Sequence, residues 1–169
     1  MSHGTYLEIL ELLALLEKPV QALEIGVLGQ HSADALLRGS PHTCLRLAPA
    51  LGGPAKHQEL KERYVLHERV SVLEGSTFET LHQELKDESL DWLHVDIAND
   101  GEVFRRVKEW YWPKVRPGGL VLLEGGSEAR DRVSWMTDFG KTPIVPVLWR
   151  LFPGAKTIGK VPALTITRK

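Results

Sequence analysis

Residues 20–38 read Val-Gln-Ala-Leu-Glu-Ile-Gly-Val-Leu-Gly-Gln-His-Ser-Ala-Asp-Ala-Leu-Leu-Arg. The run at 20–25 is short and largely apolar and is closed by Gly26, which is typical of a buried strand that enters a turn. Ser32 then offers a side chain that can cap a helix running through Arg38. Strand, glycine turn and helix in this order form the repeating unit of a parallel sheet.

The same alternation recurs along the chain. Four further β-prone runs predict strands at residues 43–47, 70–73, 90–96 and 119–124. Stretches with helical periodicity follow them, at residues 56–67, 78–86, 102–112 and 128–139. Because parallel neighbours need crossover connections, five strand-then-helix units in series predict an α/β fold, with a doubly wound parallel sheet and helices on both faces.

The two ends of the chain depart from this rhythm. At residues 5–17, leucines at helical spacing are interspersed with glutamates, which predicts an amphipathic helix that ends before Pro19. In the tail, residues 144–149 and 163–167 are both β-prone, and Pro153, Gly154 and Gly159 between them indicate a loop. We therefore predict a terminal antiparallel pair of strands.

Length and composition predict one globular domain. The chain has 169 residues, 43% of them hydrophobic and 25% charged, which is ordinary for a soluble protein of this size. We divide the predicted domain into an N-terminal helix at 1–18, a core at 19–126, and a C-terminal helix and strand pair at 127–169. No internal repeat or second core is needed to account for the pattern.

Charge and cysteine content favour a cytoplasmic protein that acts on small molecules. The net charge is −1 and basic residues do not form a block, so nucleic acid is not a predicted partner. The apolar run at 10–16 is interrupted by Glu11 and is too short to span a membrane, and it lacks the pattern of a signal peptide. A single cysteine, Cys44, excludes an internal disulfide and suits a reducing compartment.

The loop after the first predicted strand is a candidate binding site, because ligands of open parallel sheets lie outside the carboxyl ends of the strands. Glu24 can accept hydrogen bonds from a cationic amino group, and Gly26 lets the backbone approach a ligand closely. The helix that begins near Ser32 adds free N–H donors. An ordinary turn between strand and helix would explain the same residues.

A second candidate lies at residues 90–102, Leu-Asp-Trp-Leu-His-Val-Asp-Ile-Ala-Asn-Asp-Gly-Glu. Asp96 ends a buried strand there. A carboxylate at such a position is costly unless it is paired, ligated or solvated, so Asp96 is a candidate functional residue. The alternative is an aspartate that caps a helix or stabilises a turn.

Taken in order, four segments resemble the class I S-adenosylmethionine-dependent methyltransferases. They are Glu24-Ile25-Gly26 with Ser32, Leu73-Glu74-Gly75-Ser76, Leu93-His94-Val95-Asp96, and Lys114-Val115-Arg116-Pro117-Gly118-Gly119-Leu120-Val121-Leu122. The resemblance covers residues 19–126 and is nearest to the small-molecule and sugar O-methyltransferases that include the macrocin and rhamnosyl enzymes. It implies methyl transfer from S-adenosylmethionine to a small-molecule or sugar acceptor, at oxygen.

The resemblance also implies a Rossmann-like sheet of seven strands, whose last strand is antiparallel, and a set of site residues. By this likeness Glu24 and Gly26 would hold the methionine part of the cofactor, with Ser32 also in the cofactor site, and Asp96 would face the transferring methyl group or a metal. The third strand's end would lie along the adenine, and its residues are Glu74, Gly75 and Ser76.

The second strand departs from the family pattern. Relatives place an acidic residue at its end to bind both ribose hydroxyls, and the equivalent position here is assigned to Arg46. A guanidinium has donors and no acceptor, so it cannot accept those hydrogen bonds. It would suit a phosphate, which keeps an NADPH-dependent reductase as an alternative, although the first loop lacks the GxGxxG spacing of dinucleotide sites.

The catalytic and metal positions depart as well. Asp96 and Glu124 end adjacent predicted strands, so they are the candidate catalytic acids and could supply oxygen ligands to a divalent cation such as Mg²⁺, or could be two solvated carboxylates. Asn99 stands where metal-dependent relatives have histidine, which leaves His31 and His94 as candidate bases. We expect the His94 side chain to point away from the face that Val95 uses.

These departures keep two further expectations open. Arg46, Ala98 and Asn99 in place of acids and histidine favour a catalytically degenerate module that binds or scaffolds, since a fold does not guarantee its chemistry. The short chain has no separate substrate domain, so a second subunit of a homo-oligomer is a candidate to complete the acceptor pocket.

Overall fold

The computed structural model describes residues 1–27, 29–49, 53–98 and 100–169. Its strands are β1 Gln21–Ile25, β2 Cys44–Ala48, β3 Val70–Val72, β4 Leu90–Val95, β5 Val115–Glu124, β6 Lys156–Gly159 and β7 Ala163–Arg168. Its α-helices are α1 His3–Glu17, α2 His31–Gly39, α3 Gly53–Arg63, α4 Gly101–Arg106, α5 Glu128–Asp131, α6 Ser134–Asp138 and α7 Ile144–Leu151. No helix in these ranges is long and apolar enough to cross a membrane.

The strands form one mixed sheet in the order β3-β2-β1-β4-β5-β7-β6. Strands β1 to β5 pair in parallel, whereas β7 pairs antiparallel with both β5 and β6. The chain first moves outward from β1 to β3 and then returns to the other side of β1. The order therefore reverses between β1 and β4, and the predicted α/β fold with an antiparallel end is confirmed.

Each face of the sheet buries its own apolar cluster. One cluster joins the sheet to α1, α2 and α3, and the other joins it to α4 and α7. In α1, Tyr6, Leu10 and Ala14 recur every four residues and form the buried stripe of the helix. Full burial of one such leucine stabilises the fold by roughly 2 kcal/mol.

The predicted antiparallel pair exists, but its first strand was assigned to the wrong residues. Residues 144–149 lie in α7, where Ile144, Val147 and Leu148 share the buried face at helical spacing. Asp131 accepts hydrogen bonds from the backbone N–H groups of Ile144 and Val145, at 2.9 and 2.8 Å, and so stabilises the start of the helix. The partner of β7 in the terminal antiparallel pair is β6, which lies in the segment that was predicted to be a loop.

Three predicted helices are shorter or less regular than their periodicity suggests. The segment at 78–86 contains only a 3₁₀ turn, Leu81–Glu84. The helix at 102–112 continues past α4 as a π turn, Val107–Tyr111, and then as a 3₁₀ turn, Trp112–Lys114. The helix at 128–139 is divided into α5 and α6. Each still returns the chain to the next strand, so the topology is unaffected.

Helix α1 packs closely on α2 at Gly39. A Cβ atom at this residue would lie 2.2 Å from the Glu11 carbonyl oxygen and 2.9 Å from the Ala14 Cβ. Both obstacles belong to the helix body, so neither can move without shifting α1. We expect Gly39→Ala to lower the free energy of unfolding in urea by about 1–3 kcal/mol.

Gly4, in the first turn of α1, is the matched control. A Cβ atom there meets no other residue closer than 3.9 Å. Gly4→Ala should leave the free energy of unfolding unchanged or raise it by up to about 1 kcal/mol, since alanine favours a helix. Equal stability of the two variants would contradict the close packing of α1 on α2.

Candidate active site

Two adjoining cavities lie at the carboxyl edge of the sheet, where the strand order reverses. The first is about 280 Å³ in volume, and its lining includes His3, Tyr6, Gly26, Gly29, His31, Ser32 and Asp96. The second is about 300 Å³, and its lining includes His3, Tyr6, Asp96, Glu124, Arg130 and Pro162. Because His3, Tyr6 and Asp96 line both, the cavities meet at these three residues.

Gly26 lets the β1 and β4 loops approach each other. Its φ angle is +97°, and a Cβ atom would lie 2.1 Å from the backbone oxygen of Asp96. The backbone N–H of Asp96 donates to the Ile25 carbonyl at 2.8 Å, and that of Gly26 donates to the Ala48 carbonyl at 2.9 Å. Only glycine fits this position, because a Cβ atom would collide with the backbone at Asp96. Gly26 thus allows the two loops to form the floor of the first cavity.

Glu24 lies beneath the first cavity rather than in its lining. Its side chain is 2% exposed. The Oε1 atom accepts a short hydrogen bond from the Ser32 hydroxyl, and it lies 3.5 Å from Nδ1 of His94. The carboxylate is thus held by two groups of the protein. A ligand in the first cavity would contact Ser32, which lies between it and Glu24.

Ser32 does not cap α2, contrary to the prediction. The N-cap is Gln30, in the left-handed region at φ 60°, and its side chain makes no capping hydrogen bond. Ser32 is the second residue of the helix, and its hydroxyl donates to Glu24. Because the hydroxyl hydrogen is used there, the oxygen lone pairs remain available on the cavity side.

His94 points to the opposite face of β4 from Val95, as predicted. Its Nε2 atom lies 2.8 Å from the Tyr6 hydroxyl, on the face that α1 covers. Burial lowers the pKa of His94, but contact with the Glu24 carboxylate and the charges of Glu24, Asp96 and Glu124 outweigh that effect and raise it. A continuous polar chain, Ser32–Glu24–His94–Tyr6, therefore runs beneath the cavities.

Asp96 lies open to both cavities. Its carboxylate makes no hydrogen bond or ion pair with any other residue that the structure describes. Burial among neighbouring atoms raises the pKa of Asp96 and the Glu24 charge adds to this, whereas His94 and Arg130 oppose it. An unpaired carboxylate at this junction will favour a cation in either cavity.

Glu124 lies at the end of β5 and is 8% exposed. The Arg130 guanidinium, which also stacks over the Trp135 ring at 4.4 Å, lies 3.2 Å from Oε1 of Glu124. Burial and the Asp96 charge raise the pKa of Glu124 to about 7, against the opposing effect of Arg130. Glu124 is thus partly protonated at neutral pH and already has a cationic partner.

The carboxylates of Asp96 and Glu124, with Arg130 beside them, do not fit a binding site for a divalent cation. Within residues 1–27, 29–49, 53–98 and 100–169, no three side chains of His, Cys, Asp or Glu cluster in a way that could hold a metal. Arg130 pairs with Glu124, so among the described residues that line the two cavities Asp96 alone offers an unpaired carboxylate, whereas Mg²⁺ and Ca²⁺ need several oxygen ligands. Asn99, the residue at the family's histidine position, lies outside the described residues.

Arg46 lies away from both cavities. It is in the middle of β2, in register with Leu23, and its guanidinium donates to Oε1 of Gln21 at 3.3 Å, near the amino end of β1. The residue at the carboxyl end of β2 is Ala48, in register with Ile25. Arg46 therefore does not end β2, as its assignment from the sequence assumed, and its part in cofactor binding remains a prediction.

The residues predicted to lie along the adenine follow β3, outside the lining of both cavities. Glu74 is exposed and pairs with Lys61 at 2.5 Å. Gly75 has a φ angle of +106°, and the backbone N–H of Ser76 donates to the Thr80 hydroxyl at 3.2 Å. Their part in cofactor binding remains a prediction.

Three residues of the site were not anticipated from the sequence. His3 and Tyr6 come from α1, and Arg130 comes from α5. Tyr6 and His94 are 88 positions apart, and Tyr6 falls on the apolar stripe of an amphipathic helix, where an aromatic residue is usually core. Only the docking of α1 across the carboxyl edge of the sheet shows that His3 and Tyr6 belong to the site.

The raised pKa of Glu124 predicts a pH dependence of stability. A carboxyl whose pKa is about 7 when folded and 4.5 when unfolded binds its proton more tightly in the folded chain. Stability is lost as pH rises through that interval. We expect Glu124→Gln to remove this loss, so that the variant gains about 2 kcal/mol on the wild type between pH 5 and pH 8.

Glu128→Gln is the control, because Glu128 is exposed and pairs with the exposed Arg132. The free energy of unfolding, measured in urea at each pH, should change in parallel for Glu128→Gln and the wild type. A parallel change for Glu124→Gln as well would show that Glu124 has an ordinary pKa.

Comparison with known proteins gives the same architecture. The O-methyltransferase from Bacillus cereus in complex with SAH has a TM-score of 0.70 at 21% identity, over 100% of this chain and 83% of that one. TomG from Streptomyces achromogenes, in complex with SAM, has a TM-score of 0.71 at 22% identity, over 99% and 81%. Podospora anserina PaMTH1, bound to SAH, has a TM-score of 0.68 at 21% identity, over 99% and 79%.

These likenesses concern the fold, and no match was found among curated proteins. The family model described as a methyltransferase domain matches residues 23–124. That match runs from β1 to the end of β5 and includes the loops that form the floor of both cavities. Since it covers more than half of the sequence, the chain belongs to the methyltransferase domain family and has its Rossmann-like fold.

Proposed function

We propose that the chain is an S-adenosylmethionine-dependent methyltransferase that acts on a hydroxyl oxygen of a small molecule. The observation that carries the proposal is the unpaired Asp96 carboxylate at the junction of two cavities. Such a carboxylate stabilises a cationic sulfonium on one side and borders an acceptor on the other. Similar structures described as O-methyltransferases, with SAM or SAH bound, support this reading.

The first cavity suits the amino-acid end of the cofactor. Gly26 allows the backbone close to a ligand, and the first N–H groups of α2 can bind a carboxylate, whereas the Ser32 oxygen can accept a hydrogen bond from an amino group. Asp96 supplies the complementary negative charge. The cofactor itself provides an electrophilic methyl group on sulfur, so the protein's tasks are alignment and disposal of one proton.

The second cavity is the proposed acceptor site. It carries both charge signs, from Asp96, Glu124 and Arg130, together with the apolar Pro162 and Val161. Mixed polar and apolar lining suits a small hydroxyl compound, such as a phenol or a sugar. The rhamnosyl and macrocin likeness of the sequence makes a sugar hydroxyl one of the acceptors to be tested.

A second candidate function follows from Ala48. Residues 48–54 contain no carboxylate, so the end of β2 offers no acid to the ribose hydroxyls. Weaker cofactor binding is expected, and a domain that binds without catalysing fits the same residue. The displacement of Arg46 from the cavities gives an NADPH-dependent reductase no support.

Calorimetry with two cofactor forms tests the proposed site. S-adenosylmethionine carries a sulfonium charge that S-adenosylhomocysteine lacks, so the unpaired Asp96 should favour the former. We expect Asp96→Asn to weaken S-adenosylmethionine binding about tenfold, which corresponds to about 1.4 kcal/mol, and to change S-adenosylhomocysteine binding by less than about threefold. Asp138→Asn, at an exposed aspartate, is the control with the same charge change.

The outcome also separates the candidate functions. Equal weakening of both ligands by Asp96→Asn would remove Asp96 from the sulfonium site. A rise in thermal stability with NADPH, and none with S-adenosylmethionine, would reject the proposed cofactor, since any ligand of the folded state must stabilise it.

Transfer of a radiolabelled methyl group to catechol, caffeate and methyl rhamnoside tests the activity. Because the described residues do not form a divalent cation site, we expect the transfer rate with EDTA to equal the rate with added Mg²⁺, within about twofold. Dependence on Mg²⁺ would show that a residue outside the described ranges completes a metal site. No transfer to any acceptor, with binding intact, would favour the non-catalytic domain.

A further inference from the structure

Cofactor binding does not explain why Tyr6, His94 and Glu24 are buried one after another in the polar chain beneath the cavities. Tyr6, His94 and Glu24 are each 1–2% exposed. Burying a charged carboxylate such as Glu24 costs desolvation free energy that pairing can fail to offset, and apolar side chains would fill the same space without that cost. Tyr6 also lies in α1, outside the residues 23–124 that match the family.

The positions of the atoms determine the direction of the hydrogen bonds. The Glu24 carboxylate faces Nδ1 of His94, so that nitrogen carries the hydrogen in the neutral ring. Nε2 then has a lone pair and accepts from the Tyr6 hydroxyl at 2.8 Å. Carboxylate, imidazole and hydroxyl in this order are the arrangement that makes a hydroxyl oxygen basic in hydrolytic triads.

Tyr6 stands where such a group could act. It lines both cavities, together with Asp96 and His3, so it borders the junction between the proposed methyl donor and acceptor. Burial, and then the charges of Asp96, Glu124 and Glu24, raise the pKa of Tyr6 well above its usual value. Tyr6 therefore stays a neutral phenol, and it can take up a proton only by passing its own to His94.

We propose that Tyr6 is a catalytic residue that receives the proton of the acceptor hydroxyl, with His94 and Glu24 as positioning residues that complete a proton relay. The inference rests on the proposed methyl transfer to oxygen. It assigns the missing base of this site to α1 and β4, in place of the histidine that the sequence lacks at Asn99.

The relay balances in atoms and charge. As the bond from acceptor oxygen to methyl forms and the bond from sulfur to methyl breaks, the acceptor proton moves to the Tyr6 oxygen. The Tyr6 proton moves to Nε2 of His94, and Glu24 stabilises the resulting imidazolium. After the neutral thioether and the methylated product leave, the proton returns through Tyr6 to water in the cavity.

A relay of this kind requires neutral His94 before each turnover. The titratable or charged groups that act on the ring come from four elements: Tyr6 of α1, Glu24 of β1, Asp96 beyond β4, and Glu124 of β5. Arg130 and His3 act in turn on Asp96. The net effect raises the pKa of His94, so kcat should fall as pH falls through that raised pKa.

Tyr6→Phe is the decisive variant because it removes one hydroxyl and keeps the ring that packs in the core. We expect kcat at saturating cofactor to fall about 100-fold, within the usual range for general acid–base catalysis, and its acid limb to disappear. The dissociation constant for S-adenosylhomocysteine should stay within about twofold. Tyr64→Phe is the control, since that hydroxyl bonds Asp34 on α2, away from the cavities.

Glu24→Gln provides a second measurement if Tyr6→Phe folds poorly. Removing the carboxylate removes a group that raises the pKa of His94, so the acid limb of kcat at saturating cofactor should move to lower pH. A purely structural role for Glu24 would leave the position of that limb unchanged.

The outcomes separate the relay from the proposed function. If the wild type methylates an acceptor and Tyr6→Phe retains kcat within twofold, the relay is overturned while the methyltransferase activity stands. A weaker cofactor affinity with unchanged kcat also overturns it. If the wild type binds S-adenosylmethionine and methylates none of catechol, caffeate and methyl rhamnoside, the proposed function fails and the relay fails with it.

Discussion

The contact between Gly26 and the backbone of Asp96 is the constraint on which the site depends. The two loops that leave β1 and β4 approach so closely that a Cβ atom on Gly26 would lie 2.1 Å from the Asp96 carbonyl oxygen. The hydrogen bond from Asp96 N–H to the Ile25 carbonyl fixes the register at that point. Beyond this contact the segment that follows β1 leads to α2, and the segment that follows β4 leads to α4. The cleft opens between these two segments.

That cleft gathers three carboxylates at the ends of β1, β4 and β5, and the protein accommodates each in a different way. Glu24 is held by the Ser32 hydroxyl and His94. Glu124 pairs with Arg130 and is also partly protonated, with a pKa of about 7. Asp96 alone has no partner among the described residues, so the repulsion within the cluster is relieved best by a cation beside Asp96.

Much of the fold could be predicted from the sequence because strand and helix periods are local. The strand-then-helix units correctly predicted a parallel sheet with helices on both faces, and the run before Gly26 correctly predicted its first strand, but the strand order was not predicted. The tail was misassigned because Ile144, Val145 and Val147 are β-branched, whereas their burial follows the helical period and Asp131 caps the helix from a distance. That cap depends on tertiary contacts, which a local pattern does not show.

The candidate site was less predictable, for two physical reasons. Residues that end their own strand, such as Asp96 and Glu124, were found because the carboxyl ends of parallel strands meet at one edge. Arg46 was taken as the residue at the end of β2, but two residues follow it in the strand, and two residues span about 7 Å along a strand. His3, Tyr6 and Arg130 reach the site from outside the parallel strands, so no strand-end rule could find them.

The position of Tyr6 links the stability of α1 to the chemistry of the site. Tyr6 reaches His94 only because α1 crosses the sheet on α2, with the helix backbones in close approach at Gly39. At the amino end of α1, the Ser2 hydroxyl caps the helix and Met1 packs against Gly159 in the β6–β7 turn. The helix that adds a phenol and an imidazole to the cleft is thus held by its cap and Met1 at the amino end and by its packing on Gly39 farther along.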